Sequence, residues 1–181
     1  MKRSLSYLAV LVVLAAFLVG PTSAASAAPY CGITWGSAAK SAPGLSSAPV
    51  TNVRTGQATC YDRLVVDIAG KAGGFRVAYV SQVRAEGSGV AIPTRGGARL
   101  QITVHDPAYT AAGAPTYSPA NPRELSNVSG YRTFRQVVWA GSFEGYTGVG
   151  LGVRARLPFR AFVLAGPGTH SRLVIDVAHR W

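Results

Sequence analysis

The sequence predicts an all-β fold, a β-sandwich of two similar sheets, and three observations carry that prediction. Short segments between residues 50 and 178 alternate apolar and polar residues with a period of two, the pattern of strands that bury one face. Gly and Pro interrupt every long window, so no amphipathic helix can be traced. Nearly the same phrase also occurs twice, "RLVVDIA" at 63–69 and "RLVIDVA" at 172–178. Several short strands separated by frequent turns belong to a sandwich or barrel.

Ahead of the strands stands an export leader. Lys2 and Arg3 precede an apolar run from Tyr7 to Val19, followed by Gly20, Pro21 and the small-residue stretch "TSAASAAPY". A charged start, a short apolar stretch and an A-x-A site describe a secretory signal peptide, residues 1–27, cut after Ala25-Ser26-Ala27. The run is shorter than the roughly 20 residues of a membrane span, so the mature chain is expected to be released and secreted, with no transmembrane span. Cleavage removes two of the 18 basic residues and none of the 7 acids, lowering the formal charge from +11 to +9. A strongly basic exported domain attracts polyanions: wall polymers, anionic headgroups or nucleic acid. Export argues against the last of these.

Residues 28–50 form the next unit. Their stretch "GSAAKSAPGLSSAPV" reads as a loop or tether. The two cysteines, Cys31 and Cys60, are both exported, so an oxidising compartment predicts a Cys31–Cys60 disulfide that fastens this tether to the first strand. No Cys or His flanks either cysteine in a zinc-ligand spacing, and no pattern in the chain asks for a cofactor.

The main domain is expected over residues 51–181. In "RLVVDIA", Leu64, Val66 and Ile68 share one face and Arg63, Val65 and Asp67 the other. After the turn "GKAGG" comes "FRVAYV", then "LQITVH", where Leu100, Ile102 and Val104 alternate with Gln101, Thr103 and His105. Residues 106–125, "DPAYTAAGAPTYSPANPREL", carry four prolines and no alternation, a long loop suited to function or mobility. Strand character returns in "YRTFRQVVWAGSF", "TGVGLGVRARL", "FRAFVLAG" and "RLVIDVA". The glycines from Gly148 onward permit a strand bend or the close approach of another backbone.

The repeated phrase is expected to be core rather than catalytic device. Two similar strand pairs meeting face to face would bury Leu64, Val66 and Ile68 near Leu173, Ile175 and Val177. Arg63 with Asp67, and Arg172 with Asp176, would then form surface pairs.

Residues 50–70, "VTNVRTGQATCYDRLVVDIAG", followed by "GFRVAYV", "SGVAI" and "GGARLQITVHDPAY", resemble the AMIN-like domain of exported actinobacterial proteins, as does the stretch 134–179. The resemblance covers nearly all of residues 50–179. The related AMIN domain is a small sandwich of two similar sheets that binds peptidoglycan and localises its partner. The resemblance therefore implies a non-catalytic, wall-binding role, and it carries no agreed catalytic residues.

The residues themselves agree that catalytic motifs are missing. There is no G-x-S-x-G, and "AGSFEG" is no nucleophile elbow. The three histidines, His105, His170 and His179, stand in no metal-ligand spacing. An alternative reading is a small secreted hydrolase using His105 and Asp106 with a loop serine such as Ser118, and with His179 at a neighbouring strand end. A third is a docking module that takes an envelope protein along an exposed strand edge. The leading expectation is a binding surface for peptidoglycan or an anionic wall polymer. Arg154 and Arg156 would share one side of a strand, Arg132 and Arg135 would lie on the preceding strand, and Arg160 would follow nearby. Their planar guanidiniums suit carboxylate and phosphate oxygens. Tyr109 and Tyr117, in the Pro-rich loop, would add aromatic contacts, whereas Trp139 sits in an apolar strand and belongs to the core.

Overall fold

A computed structural model describes residues 29–181, so the expected leader lies outside the described residues. Eleven strands form, all paired antiparallel: β1 (Lys40–Ala42), β2 (Val50–Gln57), β3 (Tyr61–Ile68), β4 (Phe75–Val80), β5 (Val83–Arg84), β6 (Ala91–Ile92), β7 (Ala98–Val104), β8 (Phe134–Phe143), β9 (Tyr146–Val153), β10 (Phe159–Ala165) and β11 (Ser171–Ala178). The only helical piece among the described residues is a 3-10 turn at Tyr30–Gly32. One sheet has the order β1-β4-β7-β9-β8 and the other β10-β11-β3-β2, with β5-β6 a separate hairpin. The inward residues of both sheets, among them Leu64, Val66, Leu100, Ile102, Leu151, Leu173 and Ile175, make one core. The sandwich that the alternation predicted is the observed fold.

The repeat sits differently from the expectation. β3 and β11 are neighbours in one sheet, not partners across the core. Their antiparallel register sets Val65 opposite Val174, Leu64 opposite Ile175, and Val66 opposite Leu173. Each copy of the phrase thus pairs with the other about a local two-fold, and each arginine faces the other copy's aspartate: Arg63 faces Asp176, and Arg172 faces Asp67. Opposite charges placed directly across an antiparallel pair attract, which is what an Arg-x-x-x-Asp phrase provides when laid against its own reverse.

The two charge sites then diverge. The Asp176 carboxylate is fully buried and takes Arg63 Nε at 2.6 Å and Arg160 Nη2 at 2.7 Å. It is no surface pair, and its partners come from the adjacent strands instead of Arg172. Asp67 instead accepts two hydrogen bonds from Arg54 of β2, at 2.8 and 3.0 Å. Arg172 is left with a buried Nε that has no hydrogen-bond partner, alone in this among the described side-chain nitrogens and oxygens.

Part of the expected tether is also strand. Residues 40–42 pair with β4, Lys40 opposite Val77 and Ala42 opposite Phe75. The open edge of β4 needs backbone partners, and backbone groups of almost any sequence supply them. The Cys31–Cys60 disulfide forms as expected and fastens the 3-10 turn to the β2–β3 connection. Arg160 reinforces the attachment, its guanidinium lying 5.7 Å from the Trp35 ring centroid and 5.4 Å from that of Tyr61.

Three glycines of β9 decide what covers the five-stranded sheet. A Cβ on Gly152 would stand 1.8 Å from the Arg95 carbonyl oxygen, and one on Gly150 would meet Val83 and Val138 at 2.6 Å. On Gly148 it would meet Glu86 at 2.7 Å. The segment holding the β5–β6 hairpin therefore lies flat on this face, over a second small core of Val83, Val138 and Ala140. Of the two roles open to these glycines, close approach of another backbone is the one observed.

The Pro-rich loop closes the β8 edge. Leu125 N–H donates to the Val137 carbonyl at 2.9 Å, and Trp139 N–H to the Pro122 carbonyl at 2.7 Å. Covering an edge strand in this way removes a template for unwanted pairing. Tyr117 packs edge-on against Trp139 with ring centroids 5.2 Å apart, and both pack against the core.

Candidate ligand-binding site

Four of the expected arginines, Arg132, Arg135, Arg154 and Arg156, have their backbones at the pole of the sandwich that carries the disulfide. β8 begins at Phe134 opposite the end of β9 at Val153, which puts the backbones of Arg132, Arg135 and Arg154 at this pole, with the Arg135 guanidinium turned to the Tyr131 and Phe134 carbonyls. Arg154 N–H donates to the Thr133 carbonyl at 2.9 Å, and its Nη2 reaches the His179 carbonyl. Arg156 lies 4.8 Å from the Tyr79 ring centroid. Arg154 and Arg156 are not on a strand, however. β9 ends at Val153, and both occupy the crossing from one sheet to the other. The Tyr79 hydroxyl fixes that crossing by donating to the Leu157 carbonyl at 2.6 Å and accepting from Leu157 N–H at 3.0 Å. Burial first of all pushes the Tyr79 phenol up, to about 12, against the opposing pull of the Leu157 hydrogen bond and Arg156.

The remaining expected site residues stand apart. Arg160 spends its guanidinium on Asp176 and three aromatic rings. The Tyr109 hydroxyl accepts from Gly145 N–H at 2.8 Å, in the turn between β8 and β9 at the opposite pole. Tyr117 belongs with Trp139. Neither tyrosine is brought to the arginines.

Among the described residues His105 and Asp106 make no hydrogen bond to each other. His105 Nδ1 faces the Gly44 carbonyl at 2.8 Å and the ring stands edge-on to Tyr146. The Asp106 side chain is buried and accepts from Gly73 N–H at 3.0 and 3.1 Å. Burial raises its pKa, opposed by that backbone N–H. His179 is at the other pole, with Nε2 3.1 Å from Asp62 Oδ1 and Nδ1 3.2 Å from the Thr59 carbonyl. Asp62 also accepts from Thr133 N–H and Phe134 N–H, at 2.6 and 3.1 Å, so this buried carboxylate joins the two sheets.

Charge on the surface follows from where the acids are spent. Asp67, Glu124 and Asp176 pair with Arg54, Arg95, Arg63 and Arg160. Asp62 and Asp106 serve backbone N–H groups, and Glu86 accepts from the Thr103 hydroxyl. Of the 16 Lys and Arg residues left after Lys2 and Arg3, these four are paired, so twelve have no carboxylate partner among the described residues.

A cleft on the hairpin-covered face holds further cations that the sequence reading did not single out. It encloses about 790 Å³ between the hairpin and the end of the Pro-rich loop, with Gln82, Ile92, Arg99, Arg123 and Gln136 in its walls. Arg95 and Glu124, paired at 2.5 Å, line both this cleft and a second hollow of about 370 Å³ that includes Tyr131 and Arg135. Gln136 is 5% exposed and ties the walls together. Its Oε1 accepts from Arg95 N–H at 2.6 Å, and its Nε2 donates to the Arg123 carbonyl at 2.9 Å and Glu124 Oε1 at 3.3 Å. Two signals in the sequence bear on this cleft: Arg99 extends the polar face of "LQITVH", and the alternate glycines of β9 mark a face pressed by other chain.

No curated protein and no solved structure matches the chain. The model of the AMIN-like domain matches residues 48–179, a span that takes in both sheets from β2 to β11 and every wall of the cleft. With that match over most of its length, the chain belongs to the AMIN-like domain family.

Proposed function

We propose that this protein is a non-catalytic, exported module of the cell envelope that binds peptidoglycan or an associated anionic wall polymer. Membership of the AMIN-like family points to an envelope module of this kind. The observation that carries the reading is the disposal of charge: six of the seven acids are engaged by partners within the chain, while twelve of the 16 cations lack a carboxylate partner among the described residues. Arg132, Arg135, Arg154 and Arg156 then supply capture at the disulfide pole. Among the described residues no helix is long and apolar enough to cross a membrane.

Co-sedimentation of the mature protein with purified peptidoglycan, with and without attached anionic polymer, tests this across a salt series. A basic β-rich protein of similar charge serves as control. Retention beyond the control that weakens with salt, and falls in Arg154→Ala/Arg156→Ala, is the expected result. Retention equal to the control at every salt concentration overturns it.

One observation favours a second reading, an envelope protein docked on a strand edge. β10 is an edge strand, and its Val163 and Leu164 are 40% and 37% exposed. Added strands take such edges by main-chain hydrogen bonding.

A further inference from the structure

Three of the four sheet edges carry a device against further pairing, and β10 carries none. β1 is three residues long, the Pro-rich loop covers β8, and β2 has a register shift between Val50 and Asn52 and a charge at Arg54. Short strands, covering loops, bulges and charges are the usual guards of an edge. β10 runs in unbroken register from Phe159 to Ala165, and after Arg160 no charged residue or proline occurs before Pro167. Deepening the strand-edge reading above, we propose that this edge is taken by β10 of a second copy of the chain, antiparallel about a two-fold axis at Val163.

The hydrogen bonds on either side of β10 fix which of its amides are free. The Pro158 carbonyl accepts from Ala178 N–H at 3.0 Å, and Gly166 N–H donates to the His170 carbonyl at 2.7 Å, so the even-numbered residues between them face β11. Phe159 N–H points the other way, to the Gly36 carbonyl at 2.9 Å. The N-terminal segment then leaves for the other sheet, where Lys40 stands opposite Val77. Ala161, Val163 and Ala165 are left with outward N–H and C=O groups that no described residue meets. Beside them the Val163 and Leu164 side chains are exposed.

The strand is complementary to its own reverse. An axis at Val163 sets Val163 against Val163 and Ala161 against Ala165, pairs that each exchange two main-chain hydrogen bonds. Side chains alternate between faces, so on the outer face Phe162 meets Leu164 of the second copy while Arg160 meets Gly166. Arg160 is already held by the buried Asp176, so the seam opposes no two free charges. An uncharged edge has nothing with which to select an acidic or basic partner, whereas its own apolar residues answer one another. Each four-stranded sheet then continues into the other. β10 starts at the disulfide pole, so antiparallel pairing turns the two arginine-bearing poles to opposite ends. That arrangement joins two polymer strands, a consequence that alone rests on the polymer-binding reading.

Sedimentation equilibrium of the mature, oxidised protein from about 10 μM to about 1 mM tests the pairing, because a seam this short falls among weak interfaces. The weight-average mass is expected to rise towards the dimer, with the amides of Ala161, Val163 and Ala165 shifting in ¹⁵N spectra over the same range. Added salt should tighten the dimer severalfold by screening repulsion between two basic copies, the opposite of its effect on wall capture. Val163→Pro removes an outward N–H and no bond to β11, and Leu164→Lys places a charge on the seam. Each should weaken association at least tenfold with an unchanged melt; Leu164, being exposed, supplies the deciding variant should the proline not fold. Val90→Lys, which adds the same charge at an exposed position beside β6, should associate like the parent. A single-chain mass at every concentration and salt overturns the proposal, and so does association that Leu164→Lys leaves intact. A monomer whose 161–165 amides a different envelope protein protects from exchange defeats the second copy and keeps the edge reading. A monomer whose edge amides no envelope protein protects defeats both.

Discussion

Replacing Asp176 with Asn, set against the same change at Asp67, separates two sites that share one phrase. Asp176 accepts from Nε of both Arg63 and Arg160, at 2.6 and 2.8 Å, and its carboxylate has no exposed surface. Removing one partner of a buried ion pair costs about 3–5 kcal/mol. Here the orphaned arginines are 31% and 32% exposed, so water recovers part of the loss, and Asn keeps one acceptor oxygen. The expected destabilisation is about 2–3 kcal/mol. Asp67 is 23% exposed and its partner Arg54 49%, so Asp67→Asn should cost under about 1 kcal/mol. Urea unfolding of the oxidised proteins, with midpoints converted at a common slope, reads both values. In a chain this long each kcal/mol moves Tm by roughly 2–4 °C, so a thermal melt should show the same ordering. Equal losses at the two positions would refute the argument, because they would mean that burial does not distinguish the pairs.

Three further outcomes follow from the geometry. Gly152→Ala sets a methyl group against the Arg95 carbonyl and should destabilise by about 1–3 kcal/mol or more, with amide exchange of residues 83–95 speeding up; an unchanged melt and exchange pattern would show that the hairpin does not lie flat there. Tyr79→Phe leaves both the N–H and the carbonyl of Leu157 without their partner, for a cost of about 1–3 kcal/mol, measured by urea unfolding. Burial raises the Asp106 pKa, so its contribution favours the folded state below the ordinary carboxylate pKa of about 3.9 and is lost as pH rises through the elevated folded value. Asp106→Asn should therefore gain stability relative to the parent between acid and neutral pH, and paired unfolding curves at the two ends of that range check the sign.

What the sequence determined by itself was the longer strands β3, β4 and β7 to β11 and the buried side of those that alternate, while β1, β2 and the β5–β6 hairpin came only with the structure. Leu64, Val66 and Ile68 are core because alternation is a local property: successive side chains of an extended chain point to opposite faces whatever the strand pairs with. The disulfide followed from compartment and count in the same local way. Partners are different. Nothing within "RLVVDIA" says that its neighbour is "RLVIDVA" of the same sheet, because sheet order depends on which long connections the whole chain can close. That pairing decided that Asp176 is buried under two arginines while Asp67 faces Arg54. The arginines divide the same way. Arg132, Arg135 and Arg154 lie near the two ends of one β-hairpin and could be brought together on paper, whereas Arg99 and Arg123 are 24 positions apart in the sequence. They line one cleft because the β9 glycines admit the hairpin and the Pro-rich loop returns along β8. A cleft wall assembled from distant segments leaves no local signature, and only the tertiary packing could decide it.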